Sequence, residues 1–422
     1  MPVFTSSIEL SDDYPSFEPS LKLNFAQSRS LDPRITFTRA SVATYFDRSG
    51  NIQTAGKNEP RFDHNPATRE SLGLLLEEES TNLVNSNANA ADWNVGSASQ
   101  ETTYPIKGLY TTRLMDLGGD GDSPYLGGGS YGTGSSIVVT MSMYIDAVNS
   151  TSNTVTMFMF GGGYINHQWN ISTGVPVPNN SFSINGSDYN SGSAQTIDCG
   201  GGIYRLVLTA TYTGGSTTTR FYVTPSGADS DYVIIAGMQT EVRPFPTSVI
   251  ITSGTPVTRN YDDAQILEAN FTDNFNQFEG TFVGECDRGN DGTEGAGIGA
   301  MRRSADSYFD MIQFGEFYDN GGMVGRVYIG GGSQANIGAT HTTGQGVYNR
   351  YAFAYKKDSF NGVINGVGQG EDTSGNIPTE LDRFLFGSYS DDRSTTNLDG
   401  HIKYLHYYPQ RLTNAQLQLL TA

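Results

Sequence analysis

The sequence predicts an all-β protein: two consecutive β-sandwich (jelly-roll) domains behind an extended N-terminal arm, with a short helix at the C-terminus. Three observations predict it. Gly is abundant, at 51 of 422 residues, and glycine punctuates turns. Tyr (24) and Phe (22) are plentiful while Trp (2) is scarce, and aromatic rings suit pleated, half-buried surfaces. Short apolar runs of period 2 recur with turn signals between them.

In chain order, residues 1–30 are polar, aperiodic and broken by Pro15 and Pro19. They read as an extended arm that orders only against something else. Residues 31–82 form a small β region. It holds a β-prone stretch at Thr36-Phe37-Thr38, a turn signal at Asp47-Arg48-Ser49-Gly50 and an apolar run at Leu72-Gly73-Leu74-Leu75-Leu76. Residues 83–260 read as a jelly roll. In Ile137–Ile145 every odd position is apolar, and Tyr204-Leu206-Leu208-Ala210-Tyr212 alternates in the same way. Val155–Phe160 is apolar on both faces, as in a central strand. Phe221–Val223 and Tyr232–Met238 follow after Gly/Ser/Thr turns.

Residues 261–422 repeat the pattern as a second sandwich. Its strand candidates are Gly280–Cys286, Tyr308–Phe314, Met323–Ile329, Tyr348–Tyr355, Leu381–Phe386 and His401–Tyr408. Asn361-Gly362 and Asn365-Gly366 both read as hairpin turns, because Asn and Gly tolerate positive φ. Thr413-Asn414-Ala415-Gln416 is a capping box leading into Leu417, Leu419 and Leu420. A helix so short persists only when docked.

Charge and composition exclude whole classes of function. Asp+Glu number 44 against 25 Lys+Arg, a net charge of −19. Acid outnumbers base in each of the three segments. Nucleic acid is excluded as a partner, since it demands clustered cations, and anionic membranes are disfavoured likewise. No membrane insertion is expected, because no apolar run approaches the ~18 residues of a span. The first twenty residues lack the basic and apolar regions of a signal peptide. Cys199 and Cys286 alone make neither a disulfide framework nor a zinc site. A soluble chain made in a reducing cytoplasm is expected.

Three blocks carry a family resemblance. The first runs Leu31-Asp32-Pro33-Arg34-Ile35-Thr36-Phe37-Thr38-Arg39-Ala40-Ser41, then Ala43-Thr44-Tyr45, Asn58-Glu59-Pro60-Arg61-Phe62-Asp63, Gly73-Leu74-Leu75-Leu76-Glu77 and Thr81-Asn82-Leu83. It resembles a segment recurrent in bacteriophage tail-fibre, head-fibre and other virion appendage proteins. The second is Ala236-Gly237-Met238-Gln239, Phe245-Pro246-Thr247-Ser248 and Pro256-Val257-Thr258-Arg259. It resembles the closing strand and exit of a carbohydrate-binding-module-like jelly roll. The third is Asn365-Gly366, Gly400-His401-Ile402-Lys403-Tyr404-Leu405, Tyr407-Tyr408 and Leu412-Thr413-Asn414-Ala415-Gln416-Leu417. It is similar to the end of concanavalin A-like (laminin-G-like) sandwiches.

The resemblance implies a structural protein of a phage particle, located in the virion. Its N-terminal part, with 31–82 as attachment region, would contact other virion proteins, and its sandwiches would face outward toward host surface glycans. The alternative is a purely structural decoration of capsid or tail without glycan binding. Such fibres are commonly trimers, so a homo-oligomer is expected. None of the blocks is a catalytic motif.

Sugar binding by a sandwich needs aromatic faces for C–H surfaces and amides or carboxylates for hydroxyls. Tyr164-Ile165-Asn166-His167-Gln168-Trp169-Asn170 supplies both types within seven positions. One reading is a platform of Trp169 and Tyr164 with Asn166, Gln168 and Asn170 as polar partners. The other is an ordinary strand with Trp169 in the core, as also read for Trp93. No cofactor is indicated, although Asp120 and Asp122 in Gly118-Gly119-Asp120-Gly121-Asp122 offer two of the 6–8 oxygens that Ca²⁺ takes. Asp287–Gly292 looks like an EF-hand start, but Ile298 stands where Glu belongs. Glu77-Glu78-Glu79 and Asp391-Asp392 are carboxylate clusters, and a glycosidase needs only two carboxylates. A depolymerase would more usually carry a long repetitive β-helix, which is lacking here. No Gly-x-Ser-x-Gly elbow occurs. A non-enzymatic protein is therefore expected.

Overall fold

Burial alternates with period 2 in Leu21–Asn24, Thr154–Gly161, Gly163–Asn170 and Asp263–Leu267, where hydrophobic patterning decides which face turns inward, while Ile137–Asp146 and Tyr232–Glu241 are buried on both faces. The computed structural model describes residues 14–87, 89–93, 98–115, 124–131, 136–161, 163–214, 219–226, 230–288, 297–304, 310–316, 323–338 and 346–422. The chain divides into two compact units, and both are β-sandwiches. The fold is all-β, as expected.

The first unit comprises 1–38, 73–78 and 262–422. One sheet runs Val367–Asp372, Ser359–Ile364, Asn349–Lys356, Glu279–Cys286, Gly400–Tyr408 and Ser71–Leu76. Leu21–Asn24 pairs antiparallel with Gly400–Tyr408. Residues 21–24 of the expected arm thus lie in a sheet of their own chain. The facing sheet runs Ile35–Thr38, Asp263–Leu267, Arg383–Phe386, Gly299–Arg302, Met311–Glu316, Met323–Ile329 and Gly332–Gly338. Between them Phe282 stacks on Phe314 and Phe384, with ring centroids 5.4 and 5.5 Å apart. The Tyr355 and Tyr407 hydroxyls meet in the same core at 2.8 Å. The capping box forms as read: Thr413 Oγ1 accepts from Gln416 N, and Gln416 Oε1 accepts from Thr413 N. The helix Asn414–Thr421 docks through Leu417 on Val283, Ala352 and Val363.

One turn expectation is corrected. Asn365-Gly366 does turn between Ser359–Ile364 and Val367–Asp372. Asn361-Gly362 lies buried inside Ser359–Ile364. The preceding hairpin turns instead at Lys357-Asp358, where Asp358 takes φ 54°. Gly362 is there for space: a Cβ would come within 2.7 Å of Ile337 and 2.9 Å of Val324.

The second unit comprises 39–72 and 79–261. One sheet runs Tyr189–Asp198, Ile203–Tyr212, Ile137–Asp146, Tyr232–Glu241, Leu109–Met115 and Ala98–Ile106. Its inner face gives Met141, Met143, Leu206 and Leu208 to the core. Its other face is covered by the hairpin of Ala43–Phe46 and Ile52–Ala55, with Phe46 edge-on to Tyr144. The second sheet runs Tyr125–Gly128, Thr219–Ser226, Thr154–Gly161, Gly163–Asn170 and Val177–Pro178, with Ser183–Asn185 also on Gly163–Asn170.

This unit brings the first two sequence blocks together through buried polar groups. Arg61 Nη1 donates to Thr44 O at 3.0 Å and to Ser248 Oγ at 2.9 Å, and Arg259 Nη1 reaches the same Ser248 hydroxyl at 3.2 Å. Glu241, fully buried, accepts from Thr247 N, Thr247 Oγ1, Ser80 Oγ and Gln239 Nε2. Asn82 bridges Ile250 O and Thr240 N. Buried polar atoms need such partners, because each one left unmade costs about 1–3 kcal/mol.

Candidate functional site

Strict alternation places two kinds of residue on the two faces of the second sheet. In Thr154–Gly161 the odd positions Val155, Met157 and Met159 enter the core, so Thr156, Phe158 and Phe160 face outward. In Gly163–Asn170, Ile165, His167 and Trp169 face inward, leaving Tyr164, Asn166, Gln168 and Asn170 outside. In Thr219–Ser226, Phe221 and Val223 are buried, while Arg220 and Tyr222 point away from the core. Tyr125 completes the outward set on the edge strand.

Register turns these positions into one strip. Phe158 stands opposite Asn166 on one side and Tyr222 on the other. Tyr222 in turn faces Tyr125, and Phe160 lies between Tyr164 and Arg220. Ring centroids are 5.0 Å apart for Tyr125–Tyr222, 5.9 Å for Phe158–Tyr164, 6.4 Å for Phe158–Tyr222 and 6.5 Å for Phe160–Tyr222. These tilted and edge-to-face spacings are favourable for aromatic pairs. The Arg220 guanidinium carbon sits 5.0 Å from the Tyr125 ring centroid, within cation–π range. Hydrogen bonding with Tyr222 raises the Arg220 pKa further, so its charge is permanent.

Four of the five residues read from the sequence as sugar contacts are on this face. Trp169 is the exception, and its platform role is corrected. It is 0 % exposed and packs edge-on to His167, with centroids 4.7 Å apart, so its ring has no face to offer a ligand. Period-2 geometry requires this, since Trp169 lies an odd number of positions from Tyr164. Two of the amides are engaged internally. Asn170 Oδ1 accepts from Ser172 N and Oγ. Gln168 Oε1 accepts from Asn179 Nδ2 at 2.8 Å. Tyr125, Phe158, Phe160, Arg220 and Tyr222 escaped the sequence reading. For Phe158 and Phe160 the signal was the strand apolar on both faces, Val155–Phe160.

The remaining candidates have structural placements. Trp93 packs in the core. Cys199, one of the two cysteines, is buried beside a tight turn in which Gly200, Gly201 and Gly202 all have positive φ, and burial pushes its thiol up to about 11. Asp391 pairs with Arg383 at 3.0 Å and Arg302 at 3.5 Å. Asp392 is held below the usual carboxylate range by the Ser394 hydroxyl. Glu77 and Glu78 are buried, and Glu79 accepts from Asn260 Nδ2 at 2.9 Å. Asp287 accepts from the His401 backbone and ring. Asp120 and Asp122 lie outside the described residues. Among the described residues no group of three or more His, Cys, Asp or Glu is placed to hold a metal ion. No described helix is long and apolar enough to cross a membrane.

No protein-family model matches the chain, and no curated protein matches it. Solved structures do. Domain 4 of AbnA, a GH43 extracellular arabinanase from Geobacillus stearothermophilus in complex with arabinotriose, is 16% identical, covering 38% of this chain and 73% of its own, with a TM-score of 0.30. The Ruminococcus gnavus IT-sialidase CBM40 bound to α2,3 sialyllactose is 12% identical over 35% and 84%, with a TM-score of 0.29. Mouse laminin α1 chain domains LG4-5 are 10% identical over 69% and 88%, with a TM-score of 0.26. The fold assignment rests on the strand order and register above.

Proposed function

We propose that this chain is a non-enzymatic adhesion protein that binds carbohydrate through the outward strip of Tyr125, Phe158, Phe160, Tyr164 and Tyr222. The carrying observation is that strip: five rings in register on one sheet face, where antiparallel sheets usually present polar side chains to water. The five rings are half-buried, and a row of aromatic side chains on the face turned away from the core is the kind of surface that interaction sites use. Flat rings match the C–H faces of sugars, and Asn166, the Tyr hydroxyls and Arg220 supply polar contacts beside them. In the wider reading the protein is an appendage of a phage virion, holding host glycans outward and meeting other virion proteins through its N-terminal region. That wider reading is supported by the three sequence blocks, and it takes a homo-oligomer, a trimer in the simplest case.

The test is a glycan array and a host-cell binding assay with wild type and a Phe158→Ala/Tyr222→Ala double variant. Binding by wild type that the variant loses, with its melting temperature kept, supports the reading. Wild type that binds no carbohydrate and no cells overturns it and leaves a decorating role.

A further inference from the structure

The sheet that carries the aromatic strip has an unusual charge pattern for so acidic a protein. The whole chain has 44 Asp+Glu and a net charge of −19. Yet Tyr125–Gly128, Thr154–Gly161, Gly163–Asn170, Val177–Pro178, Ser183–Asn185 and Thr219–Ser226 contain no carboxylate at all. Their basic residues are His167, which faces the core and is held neutral by burial, and Arg220, which is exposed. Among the residues of these described strands, the only permanent charge is therefore a cation. Register places it beside Phe160 on one side and Gly127 on the other, with the Tyr125 ring against its guanidinium.

We propose that the face takes an anionic glycan, one whose sugar carries a carboxylate, and that Arg220 is its counter-ion. The inference rests on the carbohydrate reading above and deepens it. A neutral sugar gains nothing from a sheet free of carboxylates. An acidic one does, because each Asp or Glu on the strip would repel it at short range. The rest of the acidic surface is screened beyond about 8 Å at physiological salt, so the charges next to the ligand decide. Arginine suits the task, since its planar fork binds a carboxylate through two parallel N–H···O bonds. Stacking against Tyr125 restrains the side chain before the ligand arrives, which lowers the entropy lost on binding.

The experiment measures binding of the intact chain to alginate, polygalacturonate, hyaluronan and polysialic acid. Each is tested beside its carboxyl-reduced, neutral form, with dextran and mannan as neutral controls. The proposal expects at least one acidic polymer to bind and its reduced form to lose roughly tenfold or more in affinity. It expects Arg220→Gln to lose a similar factor at an unchanged melting temperature, and Arg220→Lys to recover part of it. Neutral polymers binding as well as acidic ones, with Arg220→Gln indistinguishable from wild type, would overturn the counter-ion and leave the carbohydrate reading standing. Binding to none of the polymers, acidic or neutral, would overturn both.

Discussion

Phe158 and Tyr222 stand opposite each other on neighbouring strands, 6.4 Å between ring centroids, on the side of the sheet that turns away from the core. Their strand neighbours Met157 and Val223 are fully buried on the other side. The pair is the centre of the proposed binding strip. Truncating a central aromatic anchor costs binding about 2 kcal/mol, roughly thirtyfold in affinity. Phe158→Ala and Tyr222→Ala should each lose about that much in a titration with the bound glycan. Asn170→Ala, at the exposed end of its strand, should lose far less.

Trp169 gives the opposite profile. Its ring is buried against His167, which packs in turn on Phe182, so Trp169→Ala opens a cavity. Large-to-small core changes of this type cost about 3–5 kcal/mol. Denaturant unfolding should show that loss, while any protein still folded binds glycan with wild-type affinity. Trp169→Phe should cost less, because the indole Nε1 has no hydrogen-bond partner to forfeit.

Arg61 and Ser248 are joined across 187 residues of sequence by one hydrogen bond inside the second unit. Arg61→Ala takes a donor from Thr44 O in a buried site, while the Ser248 hydroxyl keeps Arg259 Nη1. A buried hydrogen bond from a charged donor contributes about 1.5–3 kcal/mol. Ser248→Ala should cost about 1 kcal/mol. Urea unfolding curves of the two variants check the order.

His406 titrates low, at about 4, because burial and the nearby Lys22 ammonium disfavour its charged form, with Glu18 opposing. The unfolded chain therefore takes up this proton near pH 6.5, before the folded chain does. Stability should be unaffected by this residue above pH 6.5 and should fall as pH drops toward 4. Thermal melts across that window should show a shallower decline for His406→Gln than for wild type.

The parts of this fold legible in the sequence are those where one rule acts alone. Ile137–Ile145 was readable because its odd positions are apolar without a break, although its other face is buried as well. Thr413 to Gln416 was readable because a capping box is local chemistry. Asn361-Gly362 misled because glycine answers two demands, positive φ and missing volume, and here the close approach of Val324 and Ile337 decided. The candidate site was half legible. Tyr164 and Asn166 were found by residue type, yet Trp169 was assigned with them against the alternation that separates them. Phe158, Phe160, Tyr222 and Tyr125 come from three strands far apart in the chain, and only pairing registers bring them together.

A crystal structure of the protein with the glycan that binds it best tests the central claim most directly. The account predicts a sugar ring lying over Phe158 and Tyr222, in contact with the outward face of Thr154–Gly161 and Thr219–Ser226. A sugar bound elsewhere, with that face empty, would contradict it.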